Sequence, residues 1–151
     1  MFLFFAFFKF FKMEITIQRL KEEAPFHLRA TNESGNTADL DGALHLGGTN
    51  QGMRPMELLL SSVGSCTTMD IIHLLRKQRQ ELRDIKASLK GDRPDTHPMV
   101  FTHIHLHFDL YGDINPKKAE RAVSLAVEKY CPALRMVEKV ASITYDFEIH
   151  P

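Results

Sequence analysis

The sequence is poor in cysteine, and it has no excess charge of either sign. Two cysteines among 151 residues are far fewer than in secreted disulfide scaffolds, where several bridges replace a missing core. Lys plus Arg and Asp plus Glu both number 19, so the formal net charge is zero and no overall field attracts nucleic acid or an anionic membrane. We therefore expect small molecules or protein surfaces as partners, and neither nucleic acid nor a membrane.

The N-terminal apolar run of the chain is too short to span a membrane. Residues 1–12 (MFLFFAFFKFFK) are almost all apolar, but a dozen residues is well short of the roughly 20 that cross a bilayer. Lys9 and Lys12 follow the apolar run instead of preceding it, which argues against a secretory signal. We predict an apolar extension over residues 1–12, outside the fold, followed by a single cytoplasmic domain over residues 13–151. A membrane-surface role for the extension is the alternative.

Hydrophobic periodicity predicts strands on both sides of two helical regions. Alternation of apolar and polar residues indicates strands over residues 14–20, 25–31, 36–46, 84–91, 99–112 and 141–149. Helical patterns begin at Pro55 and at Asn115-Pro116, and a short helix follows Cys131-Pro132. This order favours an α+β fold with a mostly antiparallel sheet.

The first helical segment is apolar around nearly its whole circumference, which is typical of a buried central helix. Its apolar residues are Met56, Leu58, Leu59, Leu60, Val63, Met69, Ile71, Ile72, Leu74 and Leu75. One small sheet cannot cover so much apolar surface, so a partner chain is expected to bury the remainder. The segment therefore predicts a dimer.

Both cysteines lie at distinctive points of the helical segments. Cys66 stands in the middle of the apolar helix, and Cys131 precedes Pro132 at the joint between two later helices. A residue before proline is disfavoured in helical conformation, so the backbone at Cys131 is free to bring its thiol elsewhere. This placement suggests redox chemistry, and two separate, buried, inert thiols are the alternative.

Three motifs together resemble those of the OsmC/Ohr superfamily, thiol-dependent proteins linked to organic hydroperoxides and osmotic stress. They are the helix entry RPMELLL over residues 54–60, Gly64-Ser65-Cys66, and Cys131-Pro132. The resemblance covers about residues 14–150, and it implies an intertwined homodimer. It also implies that peroxide oxidises Cys66 to a sulfenic acid, with which Cys131 condenses to a disulfide.

The sequence departs from the organic hydroperoxide resistance branch at the helix entry. That branch has a glutamate directly after the proline, where it holds an arginine against the thiolate; here the position is Met56, and the nearest carboxylate is Glu57. Glu57 precedes Cys66 by nine residues, which on a straight helix is half a turn away and about 13 to 14 Å along the axis. Glu57 would thus serve the partner's thiolate, or simply favour the first helical turn.

A reactive Cys66 needs a cation near it. The thiolate is the nucleophile, so the thiol pKa has to fall below about 8.5, and a permanently charged arginine is the best agent. Arg19, Arg29 and Arg54 are the candidates in the first part of the chain, with Arg29 and Arg54 assigned to the site.

Three histidines alternate along one predicted strand. His103, His105 and His107 share one face, and alternate histidines on a strand can bind zinc. A face of the sheet turned toward water would show the same pattern, and it is the preferred interpretation.

The sequence thus favours a two-cysteine peroxidase with peroxiredoxin-like activity in the oxidative stress response. It would reduce organic hydroperoxides with a thiol or dithiol reductant, and we expect no cofactor. The first alternative is a non-enzymatic relative that binds a small hydrophobic or thiol ligand, which Met56 would favour. The second is a zinc-binding strand protein.

Overall fold

The computed structural model describes residues 12–151. The chain divides into two compact units, one ending at Pro55 and the other spanning Met56–Pro151. Apart from Lys12, the predicted N-terminal extension lies outside the described residues. Its role, and the single domain expected over residues 13–151, stay predictions.

The first unit is a three-stranded antiparallel sheet. Its strands are β1 (Ile15–Lys21), β2 (Ala24–Asn32) and β3 (Thr37–Leu40), in that order across the sheet. The turn between β2 and β3 has Gly35 at a φ of 80°, in the left-handed region that glycine adopts without steric cost.

The third strand is shorter than the predicted segment of residues 36–46, because Asp41 ends it. The carboxylate of Asp41 accepts hydrogen bonds from the backbone N–H groups of Gly42, Thr49 and Gln51, and from the Thr49 hydroxyl. Led by the Gln51 amide, these donors lower the pKa of Asp41 to about 2. The backbone from Leu44 to Leu46 then forms a 3-10 turn instead of a strand.

The second unit contains the remaining elements, which are α1 (Pro55–Lys77), β4 (Glu81–Asp92), β5 (His103–Asp113), α2 (Pro116–Leu125), α3 (Pro132–Val137) and β6 (Ser142–His150). β5 is the central strand, antiparallel to β4 and parallel to β6. The α+β fold with mostly antiparallel strands is confirmed, and the pairing of β5 with β6 is parallel.

The core of the second unit forms between β5 and the helices. Alternate side chains of β5, from Ile104 to Leu110, are completely buried, as the period of two requires. They share one apolar cluster with buried residues of α1 and α2, among them Val63, Ile71 and Val123.

α2 begins where its sequence indicates, but it ends at Leu125, before the predicted end at Tyr130. The side chain of Asn115 accepts hydrogen bonds from the backbone N–H groups of Lys117 and Lys118, and Pro116 occupies the first turn. The helix continues through a π-helical turn over Ala126–Tyr130, where the Cys131 N–H donates to the Ala126 carbonyl, five residues back, at 3.1 Å.

α1 buries one face within this unit and leaves the opposite face open. Val63, Thr67, Ile71 and Leu75 follow one another at intervals of four residues on the completely buried face. Met69, by contrast, is 68% exposed in the single chain. By length and composition the helix could cross a membrane, a property that core helices of water-soluble proteins share.

Candidate functional site

The two cysteines lie together in the second unit. Both are free thiols, and their sulfur atoms are within 4.8 Å of each other. A disulfide has an S–S distance of about 2.05 Å, so the two sulfurs would have to approach by up to about 2.8 Å to bond. Cys131 is completely buried, whereas Cys66 is partly exposed.

The backbone before α3 fixes the position of Cys131. Its extended conformation, with φ −65° and ψ 107°, is the one that a following proline favours. Its sulfur accepts a hydrogen bond from the Leu134 N–H at 3.4 Å and lies 3.9 Å from the Val63 carbonyl of α1, to which the thiol can donate. The thiol therefore points from the start of α3 toward the middle of α1.

Asp70 is a third member of the cluster, and the sequence analysis missed it. A carboxylate oxygen of Asp70 lies within 4.8 Å of both sulfur atoms. Asp70 follows Cys66 by four residues, which places the two side chains on one face of α1; that spacing was the available signal. Among residues 12–151, its buried Oδ2 atom has no hydrogen-bond partner.

The cluster makes Cys66 a weaker acid than an ordinary thiol. Burial raises the pKa of Cys66, and the hydrogen bond with Cys131 and the charge of Asp70 act in the same direction. The backbone N–H of Ala133 hydrogen-bonds to the sulfur and lowers the pKa in part. The neighbours of Cys66 in the second unit therefore do not produce the lowered thiol pKa that the sequence led us to expect.

Asp70 is itself perturbed. Burial raises its pKa above the ordinary value, and the nearby His73, less than one turn further along α1, offsets this only in part. Burial thus disfavours the charged form of both Asp70 and Cys66.

The arginines assigned to the site belong to the first unit. Arg29 forms a bidentate ion pair with Asp39, with N···O distances of 2.7 and 2.8 Å. This ion pair lowers the pKa of Asp39. Arg54 stands just before α1, and Glu57 lies in the first turn of α1. The roles of Arg29, Arg54 and Glu57 toward a thiolate stay predictions.

The helix-entry methionine has a packing role. Met56 is partly buried against the apolar core of the second unit. The position that carries a glutamate in the organic hydroperoxide resistance branch therefore contributes apolar contact here.

The three histidines of β5 share one face and bond to side chains of the neighbouring strands. The hydroxyl of Thr144 lies 2.8 Å from Nε2 of His103 and 2.9 Å from Nδ1 of His105. His107 pairs with Asp146, and the pKa of His107 is raised mainly by this hydrogen bond. The imidazoles are therefore already engaged by protein partners.

The groups that converge on this face differ from the expected zinc ligands. Possible ligand atoms of His107, Asp109 and Glu148 lie within 4.8 Å of one another. Asp109 also accepts from His150 at 2.8 Å. Zinc binding by His103, His105 and His107 stays a prediction, without support from this geometry.

Comparison with known proteins identifies the family. The model of the OsmC-like protein family matches residues 48–146. Protein YhfA of Escherichia coli (strain K12) is 40% identical over 96 residues, which are 63% of this chain and 72% of YhfA.

Solved structures extend the similarity over most of the chain. A hypothetical protein from Aquifex aeolicus VF5 superposes with a TM-score of 0.76 at 32% identity, covering 94% of this chain and 100% of its own. An organic hydroperoxide resistance protein OsmC from Legionella pneumophila superposes with a TM-score of 0.66 at 20% identity, covering 89% and 96% of the two chains. The second likeness concerns the fold alone. The chain belongs to the OsmC-like protein family, as the motifs around its two cysteines predicted.

Proposed function

We propose that the chain is a cytoplasmic, homodimeric thiol peroxidase that reduces organic hydroperoxides in the oxidative stress response. The observation that carries the proposal is the pair of free thiols, Cys66 and Cys131, with sulfurs within 4.8 Å of each other. Exposure supports the proposed order of the two steps. Cys66 is partly open to a solute, whereas Cys131 is enclosed, which favours Cys66 as the thiol that meets the hydroperoxide and Cys131 as the one that resolves the product.

The chemistry balances with one hydroperoxide and two thiols. The Cys66 thiolate attacks the terminal oxygen of the hydroperoxide, and the O–O bond breaks. The departing alkoxide takes up a proton and leaves as an alcohol. The resulting sulfenic acid of Cys66 is attacked by Cys131; an S–S bond forms and water leaves. An external thiol or dithiol then reduces the disulfide and completes the cycle.

Activation of Cys66 requires more than its immediate neighbours, because burial raises its pKa. Arg29 and Arg54 stay our candidates for the cation that favours the thiolate. A guanidinium is suited to this role when a carboxylate fixes its orientation, and Arg29 is already held in this way by Asp39. Replacement of Arg29 by Gln is expected to slow the reaction of Cys66, with Arg83→Gln, at an exposed position of β4, as the control.

The test compares serine variants of the two cysteines. Cys66→Ser should abolish thiol-dependent consumption of cumene hydroperoxide, because it removes the nucleophile. Cys131→Ser should react once and then stop as a sulfenic acid that dimedone traps. With stoichiometric hydroperoxide, the unmodified chain should lose two hydrogens in mass without crosslinking. Ser65→Ala, next to the nucleophile in the chain, is the control and should keep its activity.

The raised pKa of Cys66 and the methionine at position 56 favour one alternative. In that case the chain is a non-enzymatic relative that binds a small hydrophobic or thiol ligand. Equal, slow reactivity of both cysteines, with no hydroperoxide consumption that depends on Cys66, would support this alternative and contradict a peroxidase.

A further inference from the structure

Asp70 is a partly buried acidic residue that the two-cysteine scheme does not use. Its Oδ2 atom is enclosed and lacks a hydrogen-bond partner among residues 12–151. Removing a carboxylate oxygen from water without such a partner is costly. A group of this kind in the middle of a stable helix therefore calls for a role that offsets the cost.

The usual structural roles of a carboxylate do not apply to Asp70. It lies more than a dozen residues after the start of α1 at Pro55 and several before its end at Lys77, so it neither caps the helix nor complements the positive end of the helix dipole. No salt bridge of Asp70 is present in the described part of the chain; its nearest basic influence is His73, whose effect on the Asp70 pKa is smaller than that of burial.

What surrounds the carboxylate is the thiol pair. Its oxygen lies within 4.8 Å of the sulfur atoms of both Cys66 and Cys131, and the spacing of four residues on α1 keeps it beside Cys66. Catalytic contacts of this kind are often long in the absence of substrate and tighten only when substrate is bound.

We propose that Asp70 is the proton-transfer residue of the thiol pair, taking the proton of Cys66 and returning it to the oxygen that leaves. This role rests on the proposed peroxidase function. It places the acid four residues after the nucleophile on the same helix.

Each step conserves protons. The Asp70 carboxylate accepts the proton of the Cys66 thiol; the thiolate attacks, the O–O bond breaks, and the protonated Asp70 gives that proton to the departing alkoxide, which leaves as an alcohol. In the second step the carboxylate accepts the proton of the Cys131 thiol. It returns this proton to the hydroxide that leaves the sulfenic acid as water, while the S–S bond forms.

The surroundings of Asp70 suit a group that must both accept and donate. A general acid or base works best when its pKa lies near the working pH, and burial moves the pKa of Asp70 upward. The titratable groups near it are Cys66 and His73 on α1 and Cys131 at the start of α3.

A purely electrostatic effect of Asp70 makes the opposite prediction. Its negative charge raises the pKa of Cys66, so removal of the charge alone would increase the thiolate fraction. Every reaction of Cys66 would then become faster. If Asp70 transfers a proton, its replacement slows the reactions whose leaving group needs a proton and does not slow those whose leaving group needs none.

The experiment therefore measures two reactions of Cys66 in Asp70→Asn. Single-turnover oxidation by cumene hydroperoxide releases an alkoxide, which needs a proton, whereas alkylation by iodoacetamide releases iodide, which does not. We expect oxidation to fall by about 100-fold at pH 7, the usual contribution of a positioned acid or base, while alkylation stays equal or becomes faster. Asp113→Asn, at the exposed end of β5, is the matched control and should change neither rate.

The outcomes distinguish this role from the peroxidase function itself. Oxidation in Asp70→Asn as fast as in the unmodified chain would overturn the role of Asp70 and leave the peroxidase standing. An unmodified chain that does not react with hydroperoxide through Cys66 would overturn both. If Asp70→Asn does not fold, Asp70→Glu and Asp70→Gln supply the same comparison. The two side chains have the same size, and only Glu has a carboxyl group that can transfer a proton. Glu should then oxidise at least ten times faster than Gln, and equal rates would contradict the role.

Discussion

Gly64 sets the distance between α1 and the sheet of the second unit, two residues before the proposed nucleophile. A Cβ atom added at Gly64 would lie 2.6 Å from Cδ1 of Leu89 on β4, well inside ordinary contact distance. We predict that Gly64→Ala modestly destabilises the unmodified chain, because the atom it meets is the tip of a flexible side chain, and that it stabilises the Leu89→Ala variant. Whether Gly64→Ala lowers or raises the free energy of unfolding thus depends on the residue at position 89.

The magnitudes follow from two opposing effects. Alanine in a helix interior is about 1 kcal/mol more favourable than glycine, whereas forcing an extra carbon into a packed contact costs about 1 to 3 kcal/mol. Gly64→Ala alone should therefore lower the free energy of unfolding by up to about 2 kcal/mol. Leu89→Ala removes the colliding methyl group. Adding Gly64→Ala to the Leu89→Ala variant should therefore raise its free energy of unfolding by about 1 kcal/mol, the difference in helix propensity. The coupling energy between the two positions is expected to be about 1 to 3 kcal/mol.

Urea unfolding of the four proteins measures this coupling directly. All four are compared at one fixed protein concentration, since the stability of an associating chain depends on concentration. A displaced α1 should also slow disulfide formation between Cys66 and Cys131 in Gly64→Ala, and the double variant should recover the rate. If the two substitutions add within about 0.5 kcal/mol, then α1 does not rest on Leu89 and the reasoning is wrong.

Four further predictions concern association, the N-terminus and two ionisable side chains. Light scattering at micromolar concentration should give the mass of a dimer, because the exposed apolar face of α1 needs a cover; a folded monomer would contradict this. Deletion of residues 1–12 should change the melting temperature by no more than about 2 °C, and a large loss would show that the extension packs on the fold. Asp41 has its pKa lowered from 3.8 to about 2 in the folded chain, so its contribution to stability is present above the unfolded pKa and is lost as the pH falls toward 2. Asp41→Asn should therefore flatten the loss of stability between pH 4 and pH 2 in acid unfolding curves, and an unchanged slope would contradict the Asp41 contacts. Burial, followed by the hydrogen bond to Glu128, raises the pKa of Tyr145 to about 12; ultraviolet titration should show a tyrosine that ionises near pH 12 and is lost in Tyr145→Phe, and the absence of such a transition would refute this environment.

The features that sequence alone predicts are those fixed by local backbone chemistry. α1 begins at Pro55, and α2 begins after the Asn115 cap with Pro116 in its first turn, because proline and a capping side chain define a helix start within a few residues. The break at Cys131 likewise follows from the proline after it. These positions also carry the motifs of the family, which is why the resemblance located the thiol pair.

The remaining features depend on residues that are distant in sequence. The end of β3 depends on the Asp41 carboxylate, which reaches backbone amides up to ten residues away at Gln51. The parallel pairing of β6 depends on the crossover through the helices after β5. The direction of the Cys66 pKa shift depends on burial and on Cys131 and Asp70. The four-residue spacing between Cys66 and Asp70 was not enough to single out Asp70, because only the folded chain gives its environment.

The π-helical turn over Ala126–Tyr130 makes the pairing of the thiols sensitive to the form of the helix before Cys131. A turn closed between residues five apart holds one residue more than an α-helical turn, and the Cys131 N–H closes this one. A relative with one residue fewer here would close the same turn as a continuous α-helix and keep its cysteine at the same angle, because the π-helical turn itself takes up the extra residue. A relative of unchanged length whose segment ran on as an α-helix would instead place its cysteine about 100° further around the helix axis, away from Cys66. The pairing of the thiols thus depends on the form of this turn, so relatives should be compared by it as well as by the presence of both cysteines.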